Sequence, residues 1–295
     1  MKEKKSILIT GAHRSGSTWA GKIVSASPKV RYVHEPFNPG RTGVKPPFTT
    51  WFQHLSAHTQ EEDQLSIHKY LSSFISTAFT DIKTTGTTGG FKLLREWRSR
   101  KTRRTVYKDP IALLSAPWMY DNLGCDVVIV IRHPAAFIAS LKVKDWQFNF
   151  DNFRRQNKLV ETYMKEYATE IEAYCEEPKD IIRQGILLWN CLYNTVKQYQ
   201  SQYQGTWHFV THEDLSKEPI KEFKEIFTFL NLPWSKEVTD EIENSTQGKQ
   251  KDDKHKRDSK KNIHTWKQRL TEDEISNIKE GTREVWKYFY SETDW

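Results

Sequence analysis

The chain has 295 residues, with 45 Lys and Arg against 38 Asp and Glu and a formal net charge of +7. That length suits one α/β domain with insertions. The basic balance favours an anionic ligand or substrate, although taken alone it suits nucleic acid or an acidic membrane equally well.

The first predicted element is the apolar run 7–9, a strand buried on both faces of a parallel sheet. Gly11 and Gly16 bracket a tight polar loop holding His13, Arg14 and Ser15. Thr18, Trp19, Ala20, Ile23 and Val24 then recur at helical spacing, so a helix starts near Ser17. Strand, glycine-bracketed loop and helix N-terminus make an anion cradle of inward N–H groups, aided by roughly half a positive charge of helix dipole. Gly11-x-x-x-x-Gly16 has the glycine spacing of a nucleotide triphosphatase loop. Ser17, however, stands where that loop needs Lys, and the cation lies two residues before Gly16, at Arg14. Such a loop holds one phosphate and sets a guanidinium on a neighbouring anion, and it is poorly equipped for magnesium with a γ-phosphate.

A turn at Ser27-Pro28 leads to a second strand, 30–33, which delivers His34-Glu35-Pro36 to its carboxyl end. Open α/β sheets place ligands on that edge. Glu35 is there either a general base or a carboxylate that caps the next turn or pairs with a Lys. A loop at 41–50 and an amphipathic helix at 65–79 follow. Arg95, Arg98, Arg100, Lys101, Arg103 and Arg104 either line an acidic acceptor's path or form a solvated basic face. Trp51, Trp97 and Trp146 would suit a sugar ring, and packing explains them equally well.

A strand at 105–107 ends in Lys108-Asp109-Pro110, and a helix runs on through Leu123. The most apolar strand, 127–131, enters Arg132-His133-Pro134 and then a helix at 135–142. That arrangement makes a second anion site. Ser140 lies about two helical turns beyond Arg132 and reaches the same anion only if the intervening turn folds back. Two or three helices are predicted over 146–204, with Ile186, Leu187, Trp189, Leu192, Tyr193 and Val196 in the core. A last strand, 207–210, precedes a helix in which Glu213 or Asp214 is the capping carboxylate. Residues 248–262 carry Lys249, Lys251, Lys254, Lys256, Arg257, Lys260 and Lys261. They form a mobile basic loop, or in the sharper reading a lid over an anionic cofactor. Trp266 and a single amphipathic helix, 274–289, close the chain.

Cys125, Cys175 and Cys191 are an odd set without CxxC spacing, which fits a reducing compartment. The apolar run near the start is too short for a signal peptide, and no stretch approaches membrane-spanning length. The expectation is a soluble cytoplasmic protein of one domain, 1–295, with no integral membrane segment.

Taken in order, these motifs resemble those of sulfotransferases that use 3′-phosphoadenosine 5′-phosphosulfate (PAPS). The loop through Ser15, Gly16, Ser17, Thr18 and Trp19 resembles the family's 5′-phosphosulfate loop, with Arg14 where many cytosolic members carry Lys. Arg132-x-Pro134 with Ser140 resembles the 3′-phosphate motif. Lys108-Asp109-Pro110 resembles the central segment. His212-Glu213-Asp214-Leu215 ahead of Phe229-Leu230-Asn231-Leu232-Pro233 resembles the late strand-helix unit, and Lys260 with Trp266-Lys267 the C-terminal cofactor loop. His34-Glu35-Pro36 is most similar to carbohydrate members, which place an acidic base at that strand end. Three features depart from the family. Lys108-Asp109 stands where aryl and steroid members keep a catalytic His. Ser259 and Lys261 replace the Arg and Gly of their C-terminal loop, and the membrane anchor of Golgi members is absent from this sequence.

The resemblance implies an α/β fold of three layers with a central, mostly parallel sheet. It implies a cofactor held by His13, Arg14, Ser15, Gly16, Ser17, Thr18, Arg132, Ser140, Lys260 and Lys261. Sulfuryl transfer to a sugar, glycolipid or related hydroxyl would be in line and metal-free, leaving 3′,5′-adenosine bisphosphate. Glu35 would act as base, with Arg14 neutralising the leaving oxygen and Lys108 assisting there or orienting the acceptor. His34, whose type titrates near neutrality, and Asp109 are the rival bases. A P-loop kinase and a non-catalytic anion or nucleic-acid binder are the alternatives. The first lacks its Lys, and the second leaves paired anion motifs at strand ends unexplained.

Overall fold

The computed structural model describes residues 6–40, 45–76, 103–246 and 263–295. Five strands form one sheet: β1 (Ser6–Gly11), β2 (Val30–His34), β3 (Arg104–Lys108), β4 (Cys125–Ile131) and β5 (His208–Thr211). They lie in the order β2-β3-β1-β4-β5, and every pairing is parallel rather than mostly so. A parallel sheet must be covered on both faces, and the alternation along β1 shows how. Ile7 and Ile9 pack with Ala20, Ile23 and Val24 of α1 (Ser17–Ser25), while Leu8 faces the other cluster. Behind Leu8 lie α2 (Glu61–Ser76), α3 (Ala116–Leu123) and α4 (Pro134–Lys144). The architecture is the expected three-layer α/β arrangement.

Four short predictions change. The helix expected through Leu123 is split into a 3₁₀ turn, Pro110–Ser115, and α3, because the buried Asp109 carboxylate caps the turn at Ile111 N. Residues 146–204 hold α5 (Asp151–Arg154), α6 (Asn157–Tyr163), α7 (Ala168–Glu176) and the long α8 (Ile181–Gln202), four helices rather than two or three. After β5 come α9 (His212–Lys217), α10 (Pro219–Phe229) and α11 (Lys236–Thr246). The cap of α9 is Thr211, whose hydroxyl accepts from Asp214 N at 3.0 Å, and not Glu213 or Asp214. The final helix breaks into α12 (Glu272–Gly281) and α13 (Arg283–Phe289). Gly281 sits at that break against α8, and a Cβ there would come within 2.9 Å of Ile186 Cγ2.

Parallel strands bring their carboxyl ends to one edge. In register, His34 stands beside Lys108, Ile9 beside Lys108, and Gly11 beside Val130. The residues following β1, β2, β3 and β4 therefore share one rim. Among the described residues, no helix is long and apolar enough to cross a membrane.

Candidate functional site

A cleft of about 720 Å³ opens on that rim. His13, Arg14, Gly16, Ser17, Thr18, Glu35, Arg132 and Ser140 all line it, so segments more than a hundred residues apart meet as the motifs predict. Ser15 lies just beneath, fully buried. Lys260 and Lys261, with the basic segment 248–262, lie outside the described residues, as do Trp97 and the cations from Arg95 to Lys101.

The loop after β1 is shaped for close approach. Gly16 has φ +99°, a left-handed backbone that favours glycine, and a Cβ there would meet His212 Nδ1 at 2.5 Å. Gly16 starts α1 without a side-chain cap, so the first N–H groups of that helix keep no side-chain partner among the described residues. Helix α4 likewise begins at His133 without a side-chain cap, with Pro134 in its first turn. The start of α1 lines the cleft and favours negative charge there, whereas α4 reaches the lining through Ser140.

The turn before α4 does fold back. Arg14 Nε donates to Ser140 Oγ at 2.9 Å, and Arg132 Nη1 donates to the Arg14 carbonyl. Arg14, itself at φ +66°, thus spans what the sequence reads as two separate anion sites. Arg132 has its backbone N–H on Tyr193 Oη at 3.0 Å, while its Nε is buried with no hydrogen-bond partner. Burial pulls the Arg132 pKa down, and the neighbouring Glu213 carboxylate opposes that. Glu213 is buried rather than capping, and it accepts from His133 N at 3.3 Å and Tyr290 Oη at 2.9 Å. Trp266 stacks on the His133 ring with centroids 5.3 Å apart, and Thr265 and Arg269 on either side of it line the cleft.

Ser15 Oγ and His212 Nδ1 are also buried without partners. Burial, then Arg132, lowers the His212 pKa to about 3, so the ring is neutral at ordinary pH. Unpaired buried polar atoms are costly, and two of these residues, Arg132 and His212, line the cleft beside the start of α1. This set fits an anionic ligand carrying charge at two points. His212 was visible in the sequence as the residue after the last strand, yet no spacing signal gave it a place in the site.

The β2–β3 end is arranged differently. Lys108 is 0% exposed and does not line the cleft, and its Nζ donates to Glu35 Oε1 at 2.5 Å. Glu35 N in turn donates to the Lys108 carbonyl at 2.8 Å, which extends the β2–β3 ladder by one bond. Burial would raise the Glu35 carboxyl. The Lys108 ammonium and its hydrogen bond outweigh that, helped by His34 and Asn38, and hold it below the ordinary carboxylate value. Glu35 is therefore an ionised carboxylate facing the cleft with φ +43°.

The rival bases are placed elsewhere. Asp109 is fully buried and its oxygens accept from Phe37 N at 2.6 Å and Ile111 N at 3.0 Å. Burial raises its pKa to about 7 against those donors. The His34 side chain is 58% exposed and its ring bonds Tyr32 Oη at 3.2 Å, outside the cleft lining. His13 lines the cleft but is buried, and burial followed by Arg14 lowers its pKa to about 3.

Comparison with known proteins follows the same lines. The profile of the sulfotransferase domain family matches residues 4–290. Carbohydrate sulfotransferase 1 of Mus musculus is 26% identical over 195 residues, 64% of this chain and 44% of that protein. The protein of the same name from Danio rerio is 37% identical over 160 residues, 52% of this chain and 34% of its own. The chain thus spans less than half the length of these curated relatives. Among solved structures, the sulfotransferase domain of the Synechococcus PCC 7002 olefin synthase is similar with a TM-score of 0.51 at 16% identity, covering 99% of this chain and 98% of that one. That likeness concerns the fold.

Proposed function

From the premise that the chain belongs to the sulfotransferase family, we propose that it moves the sulfuryl group of PAPS onto a hydroxyl of a carbohydrate acceptor. The observation that carries this reading is the meeting, across one cleft, of the ionised Glu35 carboxylate and a two-point anion cradle. The names of the curated relatives support a carbohydrate acceptor, as does His34-Glu35-Pro36 at the end of β2.

When bound, PAPS supplies the sulfuryl group and phosphates at both ends. The N–H groups at the start of α1, with Ser17 and Thr18, would hold the 5′ end. Arg132 and Ser140 would hold the 3′-phosphate, with α4's first turn behind them. Arg14, bonded to Ser140, would neutralise charge on the phosphosulfate side of the cofactor. Glu35 takes the proton of the acceptor hydroxyl on a carboxylate oxygen, a role worth about 10²–10⁴-fold. Lys108 acts through Glu35 by keeping it ionised and fixed in place, so it is a positioning residue rather than a group on the leaving oxygen.

The test is transfer of labelled sulfate from PAPS across saccharides, a glycolipid, 4-nitrophenol and a tyrosine peptide. Labelled saccharide or glycolipid is the expected product. Label on phenol or peptide alone would overturn the acceptor class, and no consumption of PAPS with any acceptor would overturn the reaction.

A further inference from the structure

We propose that Trp51 and Trp146, with His13 beside them, form a wall that seats a pyranose ring of the acceptor next to Glu35; this rests on the sulfotransferase reading above. All four residues line the one cleft. The two indoles meet edge to face, centroids 5.7 Å apart at 85°, and the His13 ring lies 5.0 Å from Trp146 and 6.4 Å from Trp51. Phe52 and Phe137, both fully buried, back the His13 ring at 5.7 and 5.2 Å. The wall is thus anchored in the core while Trp146 stays 37% exposed.

The backbone is bent to present these rings. Among the described residues five non-glycine residues have positive φ, and four are at or next to cleft-lining positions: Arg14, Glu35, Phe52 after Trp51, and Asp145 before Trp146. Asp tolerates this conformation, but for Phe52 at φ +57° it is a strained state that the surroundings must enforce. They do so with side chains from α5 and from the residue just before α6. Asn152 Oδ1 accepts from Trp51 N at 2.8 Å, and Gln156 holds both His54 N, at 2.7 Å, and the Phe52 carbonyl, at 3.2 Å. Strain maintained beside a cleft-facing aromatic points to use of that ring.

The wall's chemistry selects the ligand class. An indole face takes the apolar C–H face of a pyranose, and a few convergent polar groups fix its hydroxyls. His13 Nδ1 is buried without a hydrogen-bond partner, and the Glu35 carboxylate completes the polar side. A ring seated on this wall shares the cleft with Glu35, the group proposed to take the proton.

The experiment titrates cellotriose, chitotriose and N-acetyllactosamine into the protein, with and without saturating 3′,5′-adenosine bisphosphate, following tryptophan fluorescence and calorimetry. At least one saccharide binds the wild type, and Trp51→Ala and Trp146→Ala each weaken it about tenfold. Trp146→Phe restores most of the affinity, and bisphosphate binding changes less than about twofold in all three variants. Because Trp146 is partly exposed, its variants remain informative if Trp51→Ala fails to fold. Saccharide affinity unchanged in the Trp146 variants, no saccharide binding to the wild type, or turnover of 4-nitrophenol alone being sensitive to the substitutions would each overturn the proposal. Failure of the sulfotransferase reading has a different signature, namely a wild type that binds no bisphosphate and consumes no PAPS.

Discussion

At the β2–β3 end of the cleft the charged groups are already spent on one another. Glu35 is held by Lys108, and Asp109 by two backbone N–H groups. At the β1–β4 end several donors are left without partners: Arg132 Nε and His212 Nδ1 are buried without hydrogen bonds and α1 starts uncapped by a side chain, although Arg14 already joins Ser140 and Arg132. The difference separates two tasks. A base needs a fixed geometry and a defined protonation state before substrate arrives, whereas an anion site gains most when its donors have no competing acceptor. On this account the first end does proton transfer and the second does binding, and substitutions should divide the same way.

The largest expected effect is Glu35→Gln. Turnover at saturating substrates should fall about 10²–10⁴-fold, while calorimetry shows bisphosphate affinity within about twofold of wild type. Parallel loss of affinity would erase the division between the ends. His34→Asn should be mild, because that side chain stays outside the cleft lining.

Arg132→Ala should be next, and of the opposite kind. Removing a partly buried guanidinium from an anion costs about 2 kcal/mol or more, so 3′,5′-adenosine bisphosphate should weaken by about thirtyfold. AMP, which lacks the 3′-phosphate, should weaken far less. Equal losses for both nucleotides would place the 3′ site elsewhere. The variant should also melt lower, since Glu213 keeps its burial but loses its cation. Ser140→Ala should be milder, about fivefold in bisphosphate affinity, the value of one hydrogen bond.

The smallest effect concerns Asp109, and it should appear in stability rather than turnover. Its folded pKa, raised to about 7 by burial, lies above the unfolded carboxylate value. The folded state therefore keeps a proton that the unfolded chain has released, and stability falls as pH rises from about 4 to 7. Asp109→Asn removes that slope and also one of two acceptor oxygens. Melting curves should show the variant lower overall, with its deficit shrinking as pH rises through that window. A deficit that grows with pH, or turnover lost with the substitution, would put Asp109 back among the candidate bases.

Much of the β1–β4 end was legible from sequence because it depends on local pattern. Glycine spacing, a strand before and a helix after are all written within Ser6 to Trp19, and Arg132 follows the most apolar strand. The pairing of Glu35 was not legible to the same degree. A Lys partner was one of three readings of that carboxylate, and choosing Lys108, 73 residues away, requires knowing that β2 lies beside β3 at the sheet edge. Glu213 was misplaced for a related reason. Thr211, Glu213 and Asp214 all offer cap chemistry, and only the packing of Tyr290 and His133 shows which one is drawn inward. Trp51 and Trp146 were visible as aromatic candidates, but their shared wall depends on α4 and α5 turning toward the loop after β2.

The division between the two ends rests most directly on Lys108 tuning Glu35, and the dependence of kcat/KM on pH reads that tuning. In the wild type the acid limb should lie below the ordinary carboxylate range, because the Lys108 ammonium outweighs the burial of Glu35. In Lys108→Met only His34 and Asn38 still oppose the burial, so the limb should move up, with rate recovered as pH rises and bisphosphate affinity unchanged. An acid limb that stays in place, or a loss of rate equal at every pH, would contradict the account.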